Sequence, residues 1–127
     1  MHWTLVTGGA KRLGAEICLQ LARQGHAIAV HYHTSSNNAL KVVEKCLSLG
    51  VEAQAIQGDF SSSESTQDFI YRYKQQFSET RYLVNNVGNY LIKAPLDTTT
   101  DEWISLFQTN FHAPMAIIQG LMLSIMK

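Results

Sequence analysis

The 127-residue sequence predicts an α/β fold, a doubly wound parallel sheet with helices on both faces. Three observations carry this. Strand-like and amphipathic helical runs alternate along the chain. The helical runs reach about a dozen residues, enough for the right-handed crossover that joins two parallel strands. The first strand-like run ends in a glycine-rich turn that leads directly into a helix.

Trp3-Thr4-Leu5-Val6 is a short β-rich run closed by Gly8-Gly9. From Arg12 to Arg23 the apolar residues Leu13, Ile17, Cys18, Leu21 and Ala22 recur at helical spacing, and Gly25 stands where a helix ends. Ala27 to His33 reads as a second strand. Ser35 or Ser36 caps a second helix carrying Leu40, Val43 and Leu47, which stops at Gly50. Val51, Ala53 and Ala55 alternate with Glu52 and Gln54 as a third strand. Ser61 to Glu64 opens a third helix, with Phe69, Ile70, Tyr73 and Phe77 as its buried stripe. Tyr82-Leu83-Val84 is a fourth strand ended by Asn85-Asn86. After a loop to Thr98, helix runs from Thr99 or Thr100 to the end, with a break expected near Pro114.

Composition fits one domain over residues 1–127. Hydrophobic residues make up 46%, enough for a core, and charged residues only 16%, below the roughly 25% of average soluble domains, which excludes a disordered chain. Ten basic residues balance ten acidic ones, so no chain-wide basic field exists to hold nucleic acid. Cys18 and Cys46 lie in helical patterns without partner spacing, which points to a reducing compartment. With no secretory pattern at Met1, the expected location is cytoplasmic. The longest apolar stretch, Ala113 to Met126, is interrupted by Pro114, Gln119, Gly120 and Ser124 and falls short of the ~20 residues of a membrane span. His31 and His33 share one side of a strand, but no carboxylate or cysteine accompanies them, so no metal is expected.

The turn Thr7-Gly8-Gly9-Ala10-Lys11-Arg12-Leu13-Gly14 aims backbone N–H groups and a positive helix end at one spot, which suits a pyrophosphate; a plain connector is the alternative. Gly8 admits dihedrals forbidden to other residues, and Gly14 allows helix and strand to approach closely. Here the chain resembles the short-chain dehydrogenase/reductases, whose motif is T-G-x-x-x-[GA]-x-G. Thr7, Gly8 and Gly14 match it, while Arg12 stands at the middle glycine position. Lys11-Arg12-Leu13-Gly14 with His31-Tyr32-His33 is similar to the pteridine-reductase-like branch. Asp59 follows the third strand, Asn85-Asn86-Val87-Gly88 resembles the family's N-N-A-G, and Asn110 stands at the place of its helical catalytic asparagine. The matches occur in the family's order and span the chain.

The resemblance implies a Rossmann-type sheet and hydride transfer between NADP(H) and a small carbonyl, imine or pterin-like substrate. No Asp or Glu lies between Glu16 and Glu44, so the acid that holds the ribose hydroxyls of NAD is missing from the second strand's end. The candidate residues there are Tyr32, His33, Thr34 and Ser35, the last three supplying donors, with Lys11 and Arg12 supplying positive charge unless they are merely solvated. Pteridine-reductase-like relatives carry arginine where Thr34 stands. The resemblance further implies that Asp59 binds the adenine amine with Phe60 backing the base, that Asn86, Val87 and Gly88 pass under the adenosine ribose, and that Asn85 braces the fourth strand. A helix-capping role for Asp59 stays open.

The family's proton donor belongs to a Tyr-x-x-x-Lys pair. Four residues after Tyr32, Tyr71, Tyr73, Tyr82 and Tyr90 stand Ser36, Gln75, Phe77, Asn86 and Ala94, so no such pair occurs. Asn110 alone represents the catalytic set, and in relatives it holds a water that links the lysine to solvent. The chain therefore reads as a cofactor-binding half, truncated after the fourth strand and its following helices. That leaves the fourth strand as a sheet edge and points to homo-oligomer formation through the helices of residues 99–127. Three alternatives remain: a non-catalytic dinucleotide-binding module, a 3-oxoacyl-thioester reductase of the same family, and an unstable fragment without function.

Overall fold

The computed structural model describes residues 2–126. The elements run β1 (His2–Val6), α1 (Arg12–Arg23), β2 (Ala27–Tyr32), α2 (Ser36–Ser48), β3 (Ala53–Gln57), α3 (Ser63–Gln76) and β4 (Glu79–Val84), then a 3-10 turn (Pro95–Asp97), α4 (Thr100–Phe107), a π turn (Gln108–His112) and α5 (Ala113–Ile125). The strands form one parallel sheet in the order β3-β2-β1-β4. The chain steps outward from β1 to β3 and then crosses back to β4, so strand order reverses at the β1/β4 boundary. Ligands of doubly wound sheets bind beyond the C-terminal strand ends at such a reversal.

Alternation along the strands sends side chains into two cores. Val6, Ile28 and Val30 pack under α1 and α2 with Cys18, Ala22, Val42 and Cys46. Leu5, Ala29 and Ile56 pack under α3 and α5 with Phe69, Tyr73, Phe77 and Ile117. Because both faces of β1 and β2 are covered, these strands read as nearly continuous apolar runs. Phe69, Ile70, Tyr73 and Phe77 are all buried, as the helical spacing predicts.

Several boundaries differ from the sequence reading. β2 ends at Tyr32, leaving His33 beyond the ladder, and β3 starts at Ala53 rather than Val51. β4 begins at Glu79, ahead of Tyr82, because Thr80 is drawn inward: it is buried and bonds Tyr73 Oη at 2.7 Å. The pairing with β1 shifts register there, between Trp3 and Thr4. The break expected near Pro114 takes the form of the π turn Gln108–His112, after which α5 starts at Ala113 with Pro114 in its first turn, where a missing N–H is tolerated. α5 lies close on α3, since a methyl group on Gly120 would stand 2.7 Å from Ile70 Cγ2. Its Ser124 hydroxyl accepts the Thr80 N–H at 2.8 Å and donates to the Thr80 carbonyl at 3.0 Å, meeting part of the edge of β4. No helix among the described residues is long and apolar enough to cross a membrane.

Candidate functional site

The turns after β1 and β4 are stapled together. Thr7 Oγ1 accepts the N–H groups of Asn86 (2.9 Å) and Val87 (3.2 Å), and the Thr7 N–H donates to Val84 O at 3.0 Å. Asn86 Nδ2 donates to Gly8 O at 3.2 Å. The bracing expected of Asn85 therefore falls to Asn86, whose side chain turns toward the glycine turn. Gly8 has φ +62°, and a methyl group there would stand 3.2 Å from both Asn86 Nδ2 and Val87 Cγ2. A methyl on Gly14 would overlap Gly8 O. The missing Cβ atoms at these two glycines let the turn, the N-terminus of α1 and the Asn86 turn close on one another, a glycine cradle.

α1 opens at Lys11 with no side-chain cap, so the first-turn N–H groups at Arg12, Leu13 and Gly14 face an open end. Lys11, Arg12 and Leu13 are exposed. Arg12 has φ +50°, the left-handed conformation that the glycine of the motif ordinarily supplies. Beside it a groove between α1 and α2 is lined by Lys11, Arg12, Asn38, Lys41 and Lys45. Among the described residues none of its four cations forms an ion pair. Lys41 and Lys45 were missed in the sequence, although their spacing of four residues on a helix is a signal that could have found them. Thr34 and Ser35 follow β2, Ser35 as the N-cap of α2, whose Asn38, Lys41 and Lys45 line this groove.

A second pocket lies over the C-terminal strand ends, lined by Gly8, His31, Gly58, Asp59, Val87 and Thr109 among others. Asp59 is partly exposed there. Its Oδ1 accepts the Ser61 N–H at 2.9 Å, which holds its carboxyl below the usual carboxylate range, helped by His33, 3.7 Å away. The cap of α3 is Ser62, which accepts from Ser65 N–H, so the helix-capping reading of Asp59 is set aside. Phe60 also lines this pocket. Its ring is buried, with one face stacked on the His31 imidazole at 4.4 Å between centroids and an edge-on contact to Phe69. Asn110 sits in the π turn. Its Oδ1 accepts from Asn89 N–H at 2.7 Å and its Nδ2 donates to Asn89 O at 2.6 Å, which ties the stretch after Gly88 to the helix.

Both cysteines are buried, and burial pushes the Cys18 thiol up to about 12, so it is no nucleophile. No group of three or more potential metal ligands occurs among the described residues. Another hollow, lined by His2, His26, Arg81 and Tyr82, lies at the opposite end of the sheet, away from the glycine turn.

The geometry can be set against known proteins. The profile of the family described as short chain dehydrogenase matches residues 2–127. Hydroxynaphthalene reductase arp2 of Aspergillus fumigatus is 34% identical over 113 residues, covering 89% of this chain and 41% of that protein. A 3-oxoacyl-[acyl-carrier-protein] reductase of Staphylococcus epidermidis is 34% identical over 115 residues, covering 91% and 47%. A blue fluorescent protein from a metagenomic library, solved in complex with NADPH, superposes with a TM-score of 0.89 at 30% identity, covering 98% of this chain and 51% of that one. A short chain dehydrogenase from Burkholderia cenocepacia, solved in complex with NADP, gives the same values. The chain thus spans about half the length, or somewhat less, of the relatives it matches.

Proposed function

The chain belongs to the short-chain dehydrogenase family, and on that premise we propose that residues 1–127 form the cofactor-binding part of an NADPH-dependent oxidoreductase. One observation carries this: the glycine cradle, Asp59 and the Asn86 turn converge at the C-terminal ends of the strands, where strand order reverses. Relatives of the same fold were solved with NADPH or NADP.

The open N-terminus of α1 at Arg12, Leu13 and Gly14 receives the pyrophosphate. Lys11 and Arg12, with donors from His33, Thr34 and Ser35, meet the 2′-phosphate, and Tyr32 and Asp59 flank the adenosine. Val87 and Gly88 line the path toward the nicotinamide, held in place by Asn86 and Asn110. The cofactor supplies the hydride when bound; these side chains bind and orient it. The substrate we propose is a small carbonyl compound. A 3-oxoacyl thioester is favoured by the staphylococcal relative, and a dihydropterin by the Lys11-Arg12-Leu13-Gly14 turn. Association of two copies through residues 99–127 is part of the proposal, supported by the exposed Trp103, Phe107 and Phe111.

Fluorescence titration tests the cofactor assignment. NADPH is expected to bind about tenfold or more tightly than NADH, a difference of roughly 1.4 kcal/mol. NADH binding as tightly as NADPH removes the assignment. Parallel turnover assays with acetoacetyl thioester and dihydropterin choose the substrate. NADPH binding without turnover by the whole protein selects the second reading, a non-catalytic dinucleotide-binding module.

A further inference from the structure

The roles assigned so far leave the buried imidazole of His31 unused. It sits in β2, 2% exposed, among apolar strands where a polar ring is costly unless both its nitrogens are satisfied. Both are. The Gly8 N–H donates to Nδ1 at 2.9 Å, and Nε2 lies 2.8 Å from Gly58 O. A backbone N–H can only donate and a carbonyl can only accept. Nδ1 is therefore bare and Nε2 carries the proton, so a single neutral tautomer fits.

The two partners are the walls of the nucleotide pocket. Gly8 belongs to the glycine turn and Gly58 precedes Asp59. The backbone of β2 repeats the link, for Gly9 N–H donates to His31 O at 2.8 Å and Gly58 N–H to Tyr32 O at 3.0 Å. The ring also supports Phe60, the residue after Asp59, by stacking on it at 4.4 Å. The imidazole thus spans the floor of the pocket and sets how far the glycine turn stands from the Asp59 turn. An aliphatic residue in its place leaves the Gly8 N–H and the Gly58 carbonyl without their ring partner, and neither turn is then held to the other by a side chain.

We propose that His31 is a positioning residue for the adenosine half of the cofactor, a neutral two-ended strut that holds the glycine turn and the Asp59 turn at their binding distance. This rests on the dinucleotide reading above. Because the strut serves the walls that contact adenosine, it acts on NADPH and NADH alike, unlike Lys11 and Arg12.

The test compares the protein with His31→Leu and His31→Asn by NADPH and NADH titration, thermal melting and ring-nitrogen NMR. His31→Leu is expected to weaken both nucleotides about tenfold with their ratio preserved. His31→Asn, whose Oδ1 stands near the place of Nδ1, restores one end of the strut and is expected to recover part of the affinity, and the wild-type ring to show a bare Nδ1 and a protonated Nε2 at neutral pH. If His31→Leu does not fold, His31→Gln, which can reach Gly58 but not accept from Gly8, replaces it and is expected to bind more weakly than His31→Asn. Folded variants that melt earlier yet bind both nucleotides like wild type overturn the proposal, as does a ring protonated on Nδ1. A wild-type protein that binds neither nucleotide overturns the cofactor reading itself, and this inference with it.

Discussion

The hydroxyl of Thr7 accepts the N–H of Asn86 at 2.9 Å across 79 residues of chain, and the same oxygen takes the Val87 N–H at 3.2 Å. One buried side chain therefore satisfies two backbone donors where β4 runs into its turn. It also places Asn86 so that its amide reaches Gly8 O.

Thr7→Val keeps the shape and removes the acceptor. Two donors on the half-buried Asn86 and Val87 are left without a partner, and each such loss costs roughly 1–3 kcal/mol. A destabilisation of at least ~2 kcal/mol is expected in urea unfolding. Thr7→Ser restores the oxygen and is expected to stay within ~1 kcal/mol of wild type.

Gly14→Ala tests the cradle. Its methyl would overlap Gly8 O and stand 2.7 Å from Asn86 Nδ2, and backbone cannot yield as a flexible side chain can. Overpacking of this kind costs about 1–3 kcal/mol, and here it displaces the turn that holds the pyrophosphate. The expected outcome is a lowered melting temperature together with loss of NADPH binding by titration. Gly25→Ala is the control: its φ of +94° makes alanine strained, but the space around it is open and far from the turn. It is expected to cost about 1 kcal/mol and leave affinity unchanged.

Much of this was legible in the chain because it is encoded locally. The bounds of α1 coincide with the helical spacing, and parallel strands covered on both faces leave apolar runs that need no partner to be seen. The site was legible where function needs backbone freedom, at Gly8 and Gly14. It was not legible where a role depends on distant partners. His31 and His33 alternate on a strand and read alike, yet His31 is defined by Gly8 and Gly58, 23 and 27 residues away, while His33 lies past the strand in solvent. Phe60 next to Asp59 reads as a base platform, but nothing in the spacing shows that one face of its ring stacks on His31. Pro114 marks the interruption between α4 and α5, but that the interruption is a π turn leaves no compositional mark.

Arg12→Gly separates stability from affinity. An L-residue in the left-handed region pays about 1 kcal/mol that glycine does not, so the variant is expected to gain up to ~1 kcal/mol in thermal unfolding. It also removes one of the four cations of the α1–α2 groove. NADPH affinity is expected to fall about tenfold and NADH affinity by much less, ~1.4 kcal/mol of discrimination. Equal losses for both nucleotides in parallel titrations would show that Arg12 does not meet the 2′-phosphate.

Acid sensitivity isolates His31. Burial lowers its pKa from 6.5 to about 4, opposed by the bond to Gly58 and reinforced by the charges of His33 and Arg72 on the same side of the sheet. Above pH 6.5 the ring is neutral in both folded and unfolded chains, and its contribution to stability is complete. As the pH falls from 6.5 toward 4 the unfolded chain takes up the proton first, so stability is lost; below about 4 both forms are protonated and the loss levels off. The full difference amounts to ~3 kcal/mol. Asp59 and Glu102, whose carboxyls are held low, add their own loss at more acidic pH in wild type and variant alike. His31→Asn cannot titrate and keeps an acceptor toward Gly8. Urea unfolding of both proteins at pH 7 and at pH 4.5 is therefore expected to show wild type losing about 2–3 kcal/mol more than the variant. Equal losses would mean that the imidazole is not held neutral between Gly8 and Gly58.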